Sequence, residues 1–426
     1  MRKKLLVFGI AITIVNTNVF AQENEEDVEK GNLSEMLDTY SHYDVEPSPS
    51  VWLLSNAEVN STAITSAFYT KLYQGGFIDQ SLKDQVKNRL TSNNLLGGEF
   101  NSSIYYHSGS PALFKNKFSY AISLGYTIDF AAKFSSDLFN FTFYGNKSFE
   151  NKTADFSDTR FKMMTSQFVG FSLIQSSDKY YLTVGLNLIK GQNYYDFSVN
   201  KGSVYTAPSG SYLDVVANGS FVRSDTTHND FTSFNGMGAG LNLIYNRHLK
   251  DNSNLVFSAS NVGAMYWNSA TVRTNVDTSV QFDGLKVDNI FSIQDSLFTN
   301  VSGKNVFNDY THNSSASRLT LLPMTFRADY YKYFEKGFQF LGSIQYKNWG
   351  SYIPRATATL GFRLPAYWYL HVGAGYGGYG QAHLSLGLSG MVGKTYLMFG
   401  SSDCLGFIAL NKFSNEGLYL KAFYHF

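Results

Sequence analysis

The sequence predicts an antiparallel outer-membrane β-barrel of fourteen strands, with sixteen as the alternative. Three observations predict it. Stretches of about ten residues alternate apolar with small or polar side chains, the period of a strand that meets lipid on one face and a lumen on the other. The 426 residues hold 30 Tyr, 36 Phe and 36 Gly against 4 Trp and 7 Pro. Mean hydropathy is only −0.18, as expected when every second position alone must be apolar. The chain also ends on an alternating segment closed by Phe426.

The alternation is clearest late in the chain. Ala356, Ala358, Leu360 and Phe362 alternate with Thr357, Thr359, Gly361 and Arg363. Leu370, Val372, Ala374 and Tyr376 alternate with His371, Gly373 and Gly375, and Leu384, Leu386 and Leu388 with His383, Ser385 and Gly387. Ile122, Leu124 and Ile128 against Ser123, Gly125 and Asp129 show the same pattern earlier, as do Val184, Leu186 and Leu188 against Thr183, Gly185 and Asn187. The polar face is rich in Gly, Ser and Thr rather than charge, which sets it apart from the wet face of a soluble sandwich. Such a wall leaves room for something inside. The barrel is expected over 98–426.

The N-terminus reads as an export signal over 1–21: Arg2, Lys3 and Lys4, an apolar run from Leu5 to Val15, then Val19-Phe20-Ala21 before Gln22. Its removal takes the formal charge from +1 to −2, so no basic surface for nucleic acid is implied. Residues 22–32 are an acidic, aperiodic and flexible start. Residues 33–97 form a helical plug or periplasmic segment. There Ile78, Leu82, Val86 and Leu90 share a helical face with Asp79 as N-cap, a second helical stretch is expected within 56–73, and the apolar face calls for a partner in the lumen. The single Cys404 excludes a disulfide framework.

HVGAGYGGYG (371–380) contains G-x-G-x-x-G. A dinucleotide fingerprint needs a helix to follow, and another strand follows instead. Gly377-Gly378-Tyr379-Gly380 is therefore a hairpin turn, extracellular by strand parity. The same parity makes 403–413 a loop and 285–317 a long extracellular loop, a surface for a protein partner. It leaves 191–235 as either two extended strands or one large loop. Tyr330, Tyr331, Tyr333, Phe334, Tyr346, Trp349 and Tyr352 fit an interfacial aromatic girdle.

At lumen parity lie the charges Arg327, Asp329, Lys347, Arg355 and Arg363. They suit a polar path, an anionic ligand site, or ion pairs with an acidic plug. His371, His383 and Ser385 are polar lumen candidates. An outer-membrane phospholipase family also places a histidine and a serine two apart on one strand, but no orienting acid can be placed beside this pair. The eight scattered histidines have no metal-ligand spacing. No cofactor is implied. Leu418, Leu420, Ala422, Tyr424 and Phe426 resemble the terminal signal read by the barrel-assembly machinery, which makes that machinery and outer-membrane lipid the expected partners.

Three stretches, NAEVNSTAITSAFYTKLYQGGFIDQSLKDQVKNRL (56–90), LLPMTFRADYYKYFEKGFQFLGSIQY (321–346) and SSDCLGFIALNKF with GLYLKAFYHF near the end, resemble a family of uncharacterised outer-membrane barrels of Bacteroidota, the domain of unknown function 5723. That family is distantly similar in architecture to long-chain fatty-acid transporter barrels, which have an N-terminal hatch and 14 strands. The resemblance implies a barrel behind a helical region and carries over no functional residue. The function expected is a plugged channel or binding barrel for small ligands, hydrophobic ones among them. The alternatives are an accessory barrel of a secretion, gliding or surface-assembly machine and, more remotely, a barrel hydrolase; the preferred reading is not an enzyme.

Overall fold

The structure, a computed structural model, describes residues 49–282 and 311–426, apart from Gly76, Ser110, Lys115, Asn116, Asp178, Thr226, Asn229, Glu335 and Lys336. The export signal, the acidic start and most of the loop 285–317 lie outside the described residues.

Fourteen antiparallel strands close into a barrel. In barrel order they begin with β1 (Ser50–Ser61), β2 (Asn94–His107), β3 (Ser119–Phe134), β5 (Arg160–Ser177), β6 (Tyr180–Thr206), β8 (Gly236–His248) and β9 (Ser253–Trp267). The eighth is β12 (Arg318–Leu321) continuing into β13 (Met324–Phe334) across Leu322-Pro323. Then come β14 (Phe338–Asn348), β15 (Ile353–Arg363), β16 (Tyr369–Gly378), β17 (Gln381–Val392), β18 (Thr395–Asp403) and β19 (Glu416–His425). The ring closes where β1 pairs with β19, from Ser50↔His425 to Val59↔Glu416.

That closure corrects the expected boundary. Residues 50–61 are not part of a plug or periplasmic segment but the first strand of the wall. The stretch VWLL hides this, because Val51 and Leu53 face outward while Trp52 and Leu54, both buried, face the lumen. With both faces apolar, the period of two disappears.

The ends of the barrel differ. One carries both described termini and brief turns such as 393–394 and 249–252; the other carries the long connections 62–93, 135–159 and 404–415. The expected helices sit at this second end. They are α1 (Ser66–Gln74) and α2 (Gln80–Lys87), and they meet α3 (Ser136–Tyr144) from the connection between β3 and β5. The Asp79 carboxylate accepts the Leu82 amide at 2.9 Å, capping α2. Val86, Phe68 and Phe139 are fully or nearly fully buried together, with Ile78, Leu82 and Leu90 packed against them. The Tyr144 hydroxyl donates to Asp84 at 2.6 Å; burial, then the adjoining carboxylate, hold this phenol neutral well above its usual range. The apolar face of α2 does need a partner, but the phenylalanine-rich α3 supplies it rather than the lumen.

The segment 191–235 resolves as two extended strands. β6 runs on past the wall and pairs with β7 (Leu213–Arg223), which pairs with β10 (Val272–Phe282); β4 (Lys152–Asp155) and β11 (Thr311–Ser315) flank them. This sheet projects from the long-connection end. Beyond β18 the chain forms one turn of helix, α4 (Leu405–Ile408), within the loop expected there. The hairpin 377–380 also forms, with Gly377 and Gly378 at φ 121° and 64°.

Outer faces carry exposed apolar residues such as Leu124, Leu186, Leu188, Ile344, Leu386 and Leu418. Tyr330, Phe334 and Tyr346 join them, whereas Tyr331, Trp349 and the partly buried Tyr333 and Tyr352 point inward or pack on interior clusters. The girdle assignment is thus half corrected: residue parity turns 331 and 333 inward, and the turn after β14 folds into the lumen. No separate plug is needed among the described residues, because wall side chains fill both ends. At the short-turn end Trp52, Tyr105, Tyr181, Tyr396 and Phe423 form one cluster, beside Ile244, Val256 and Tyr331. At the other end Met164, Tyr194, Met265, Trp267, Trp349 and Tyr379 form another. The lumen glycines do not leave open space: a Cβ at Gly97 would strike the Tyr379 ring, and one at Gly191 would lie 2.8 Å from Trp267.

Closure through β1 has a direct test. Paired residues of antiparallel strands lie about 4.5–5.5 Å apart at Cα, within disulfide reach. Leu53→Cys with Ala422→Cys, facing partners on the outer side, is expected to form an intramolecular disulfide on mild oxidation, seen as a mobility shift that reductant reverses. A segment 50–61 lying apart from β19 would give none.

Candidate functional site

Between the two aromatic layers lies a cavity of about 350 Å³, lined among others by Asn56, Glu58, Glu99, Asp129, Lys347 and Arg355. Strand alternation puts these side chains inside. Glu58 on β1 pairs in register with Glu99 on β2, and Glu99 with Asp129 on β3. Three carboxylates thus stand side by side on adjacent strands. Across the lumen, Arg327 on β13 is in register with Gln345 on β14, and Gln345 with Arg355 on β15; Lys347 is the next inward position of β14.

The two walls touch. Lys347 Nζ donates to Glu99 Oε2 at 2.6 Å and also to Asp129. Arg355 Nη1 donates to Glu58 Oε1 at 2.8 Å. Asn56 Nδ2 donates to the second Glu99 oxygen at 2.8 Å, and Ser402 Oγ to Glu58 Oε2 at 3.3 Å. β14 is the ninth strand and β2 the second, so the Lys347–Glu99 pair joins diametrically opposite staves. A circular barrel of fourteen strands at ordinary spacing and tilt would be about 28 Å across. A lysine and a carboxylate stretched toward each other cannot bridge that width, so the section is flattened where they meet. Nearer the long-connection end the Tyr379 ring, in the turn after β16, reaches the far wall at Gly97 of β2, and its hydroxyl donates to the Trp349 carbonyl of the neighbouring turn at 2.7 Å.

Of the five charges expected in the lumen, Lys347, Arg355 and Arg327 line the cavity. Asp329, buried, lies toward the short-turn end and accepts from Arg327 Nε at 2.7 Å. Arg363 shares their parity but stands exposed at the short-turn rim, beyond the cavity. The acids come from the wall strands, not from an acidic N-terminal plug. Glu58, Glu99 and Asp129 were missed as a group: Glu58 lay inside an expected helix, and only Asp129 stood on a visibly alternating strand.

Of the polar candidates, His371 is buried, with Nε2 at 2.8 Å from Ser389 Oγ, and lines the cavity with Ser385. His383 is buried with Nδ1 against Asp403 and Nε2 at 2.9 Å from the Gly377 carbonyl. An acid does stand beside His383, contrary to expectation, but both ring nitrogens face acceptors and the histidine turns its second nitrogen to main chain. The pair His383 and Ser385 is not arranged as base and nucleophile. Of the terminal residues, Leu418, Leu420, Ala422 and Tyr424 form the outer face of β19, and the Phe426 amide donates to the Pro49 carbonyl at 3.1 Å.

A family model described as a family of unknown function, DUF5723, matches residues 53–402. The chain belongs to that family. No curated protein matches the sequence. Among solved structures, this DUF5723 barrel is similar to a deltaS2S3 mutant of the monoaromatic hydrocarbon channel TodX, at 11% identity and TM-score 0.42, with 93% of this chain and 92% of that one covered. It is also similar to the Ralstonia pickettii toluene transporter TbuX (10% identity, TM-score 0.42, 89% of each chain) and to a Pseudomonas aeruginosa FadL homologue (11%, 0.40, 89% of this chain and 90% of that one). Likeness at this level carries no inference about ligand or route.

Removing one partner of a buried ion pair strands the other. Lys347→Met is expected to destabilise the barrel by about 3 kcal/mol, the lower end of the usual range because Glu99 keeps 35% of its side-chain surface exposed. Adding Glu99→Gln and Asp129→Asn should recover most of that loss, as read by urea unfolding in detergent.

Proposed function

We propose that this chain is an outer-membrane β-barrel that holds small ligands in its lumen and passes them when the contacts across the lumen part. The apolar outer face supports the membrane. Both described termini and most of the short turns lie on one rim, which supports a periplasmic position for that rim and an extracellular one for the helices α1 to α3, since periplasmic turns are usually short. The alternating outer face of β19 suits recognition by the barrel-assembly machinery. The observation that carries the reading is the Lys347 strut between opposite walls beside a cavity of about 350 Å³. Buried ion pairs are poor sources of stability compared with apolar packing, so a wall concerned only with folding gains little from them. A ligand reaching the cavity passes an aromatic layer at either end, which favours molecules with an apolar body.

A second reading has its own observation. The sheet of β4, β7, β10, β11 and the far half of β6 projects beyond the wall, as an accessory barrel that docks a protein partner would require. Affinity purification from native membranes should then recover a stoichiometric partner.

The first reading is tested by swelling of proteoliposomes. Flux of small solutes should be low for the native barrel. It should rise about tenfold or more in Lys347→Met/Glu99→Gln/Asp129→Asn combined with Arg355→Met/Glu58→Gln and Tyr379→Ala, which removes both ion-pair crossings and the Tyr379 packing without leaving a buried charge. Unchanged flux in that variant overturns passage through the lumen.

A further inference from the structure

The charge pattern around the cavity goes one step further, resting on the reading of the lumen as a ligand site. Apart from Lys421, on β19 beside β1, the charges that line the cavity are segregated by sign. Glu58, Glu99 and Asp129 occupy directly paired positions on three adjacent strands, an arrangement in which like charges repel. Arg327, Lys347 and Arg355 occupy three adjacent strands opposite. Interleaving the signs along either wall would satisfy every charge locally and avoid both repulsions. Segregation instead gives the cavity an acidic side and a basic side, which is a feature a dipolar molecule can read.

Two further atoms point the same way. Arg355 Nε is a buried donor without a hydrogen-bond acceptor among the described residues, on the basic wall. Asn101 Oδ1 is a buried acceptor without a donor, at the next inward position below Glu99 on the acidic wall. Both residues line the cavity. An unused donor among cations and an unused acceptor among carboxylates match a ligand with an oxyanion at one end and N–H groups at the other.

The ion pairs themselves select against simpler ligands. A singly charged molecule that displaced Lys347 from both Glu99 and Asp129 would satisfy one wall and leave the other without its partner, which is strongly unfavourable. A molecule with both charges replaces the strut at both of its ends. We propose that the cavity takes a small zwitterion, with its ammonium group on the Glu58–Glu99–Asp129 wall and its carboxylate on Arg327, Lys347 and Arg355. Its entry parts the walls that Lys347 holds together, so the charges that recognise the ligand are also those that close the lumen.

Three probes with one branched apolar body separate the possibilities: L-leucine (zwitterion), L-leucinamide (cation) and 4-methylpentanoate (anion). Calorimetry on the full barrel in detergent should show leucine binding about tenfold or more tightly than either of the others. Glu99→Gln/Asp129→Asn, with folding checked by heat-modifiable gel migration, should lose about tenfold for leucine and prefer 4-methylpentanoate. Equal binding of the three, preference of the native barrel for a singly charged probe, or no binding overturns the proposal. Leucine binding as expected without flux in the gate-relieved variant would overturn passage alone; a flux increase with no preference for leucine would overturn only the zwitterion assignment.

Discussion

The pairing of β1 with β19 is the constraint on which the rest of this structure depends. A sheet that closes on itself has no edge, so every wall strand finds main-chain partners on both sides. Closure also fixes register. A slip of one residue would turn every side chain of a strand to the opposite face, moving Lys347 and Arg355 from the lumen to the outer surface. With β1 placed against β19, and β2 against β1, Glu58, Glu99 and Asp129 fall in one row. The site is thus a consequence of the closing register and not of any local motif.

Closing fourteen strands creates a filling problem. A round barrel of that size encloses more space than its own side chains span. This chain meets it by flattening and by layers: aromatic and aliphatic residues pack at both ends, and polar residues occupy the middle. Glycines on inner faces let the rings through, as Gly97 does for Tyr379 and Gly191 for Trp267. The middle layer is where water is least available from either rim. Charges there must find partners, and in a flattened barrel the nearest opposite charge is across the lumen. One geometric fact, the short distance between opposite walls, therefore accounts for both the narrow lumen and its ion pairs.

The rim packing and the middle layer are built from different residues, since the aromatic clusters share none with the ion pairs. The helices α1 to α3 stand apart from both: their core of Phe68, Val86 and Phe139 shares no residue with the lumen clusters.

Much of this was legible in the sequence, and the gaps have physical causes. The period of two marked β3, the start of β6, β15 to β17 and β19, the spacing of Ile78, Leu82, Val86 and Leu90 marked α2, and paired glycines marked the turn after β16. β1 was hidden because Trp52 and Leu54 make its inner face apolar as well, which erases the alternation. Tyr331, Trp349 and Tyr352 could pass for an outer girdle because an aromatic side chain suits lipid and a packed lumen equally. By itself the sequence determined the clearest wall strands and which face each of their residues takes, since both follow from near neighbours along the chain. Only the tertiary structure decided which charges meet. Lys347 and Glu99 are 248 residues apart in sequence, and Arg355 and Glu58 are 297 apart. Their meeting depends on the number of strands between them, the closing register and the flattening of the barrel, none of which is a property of any local stretch.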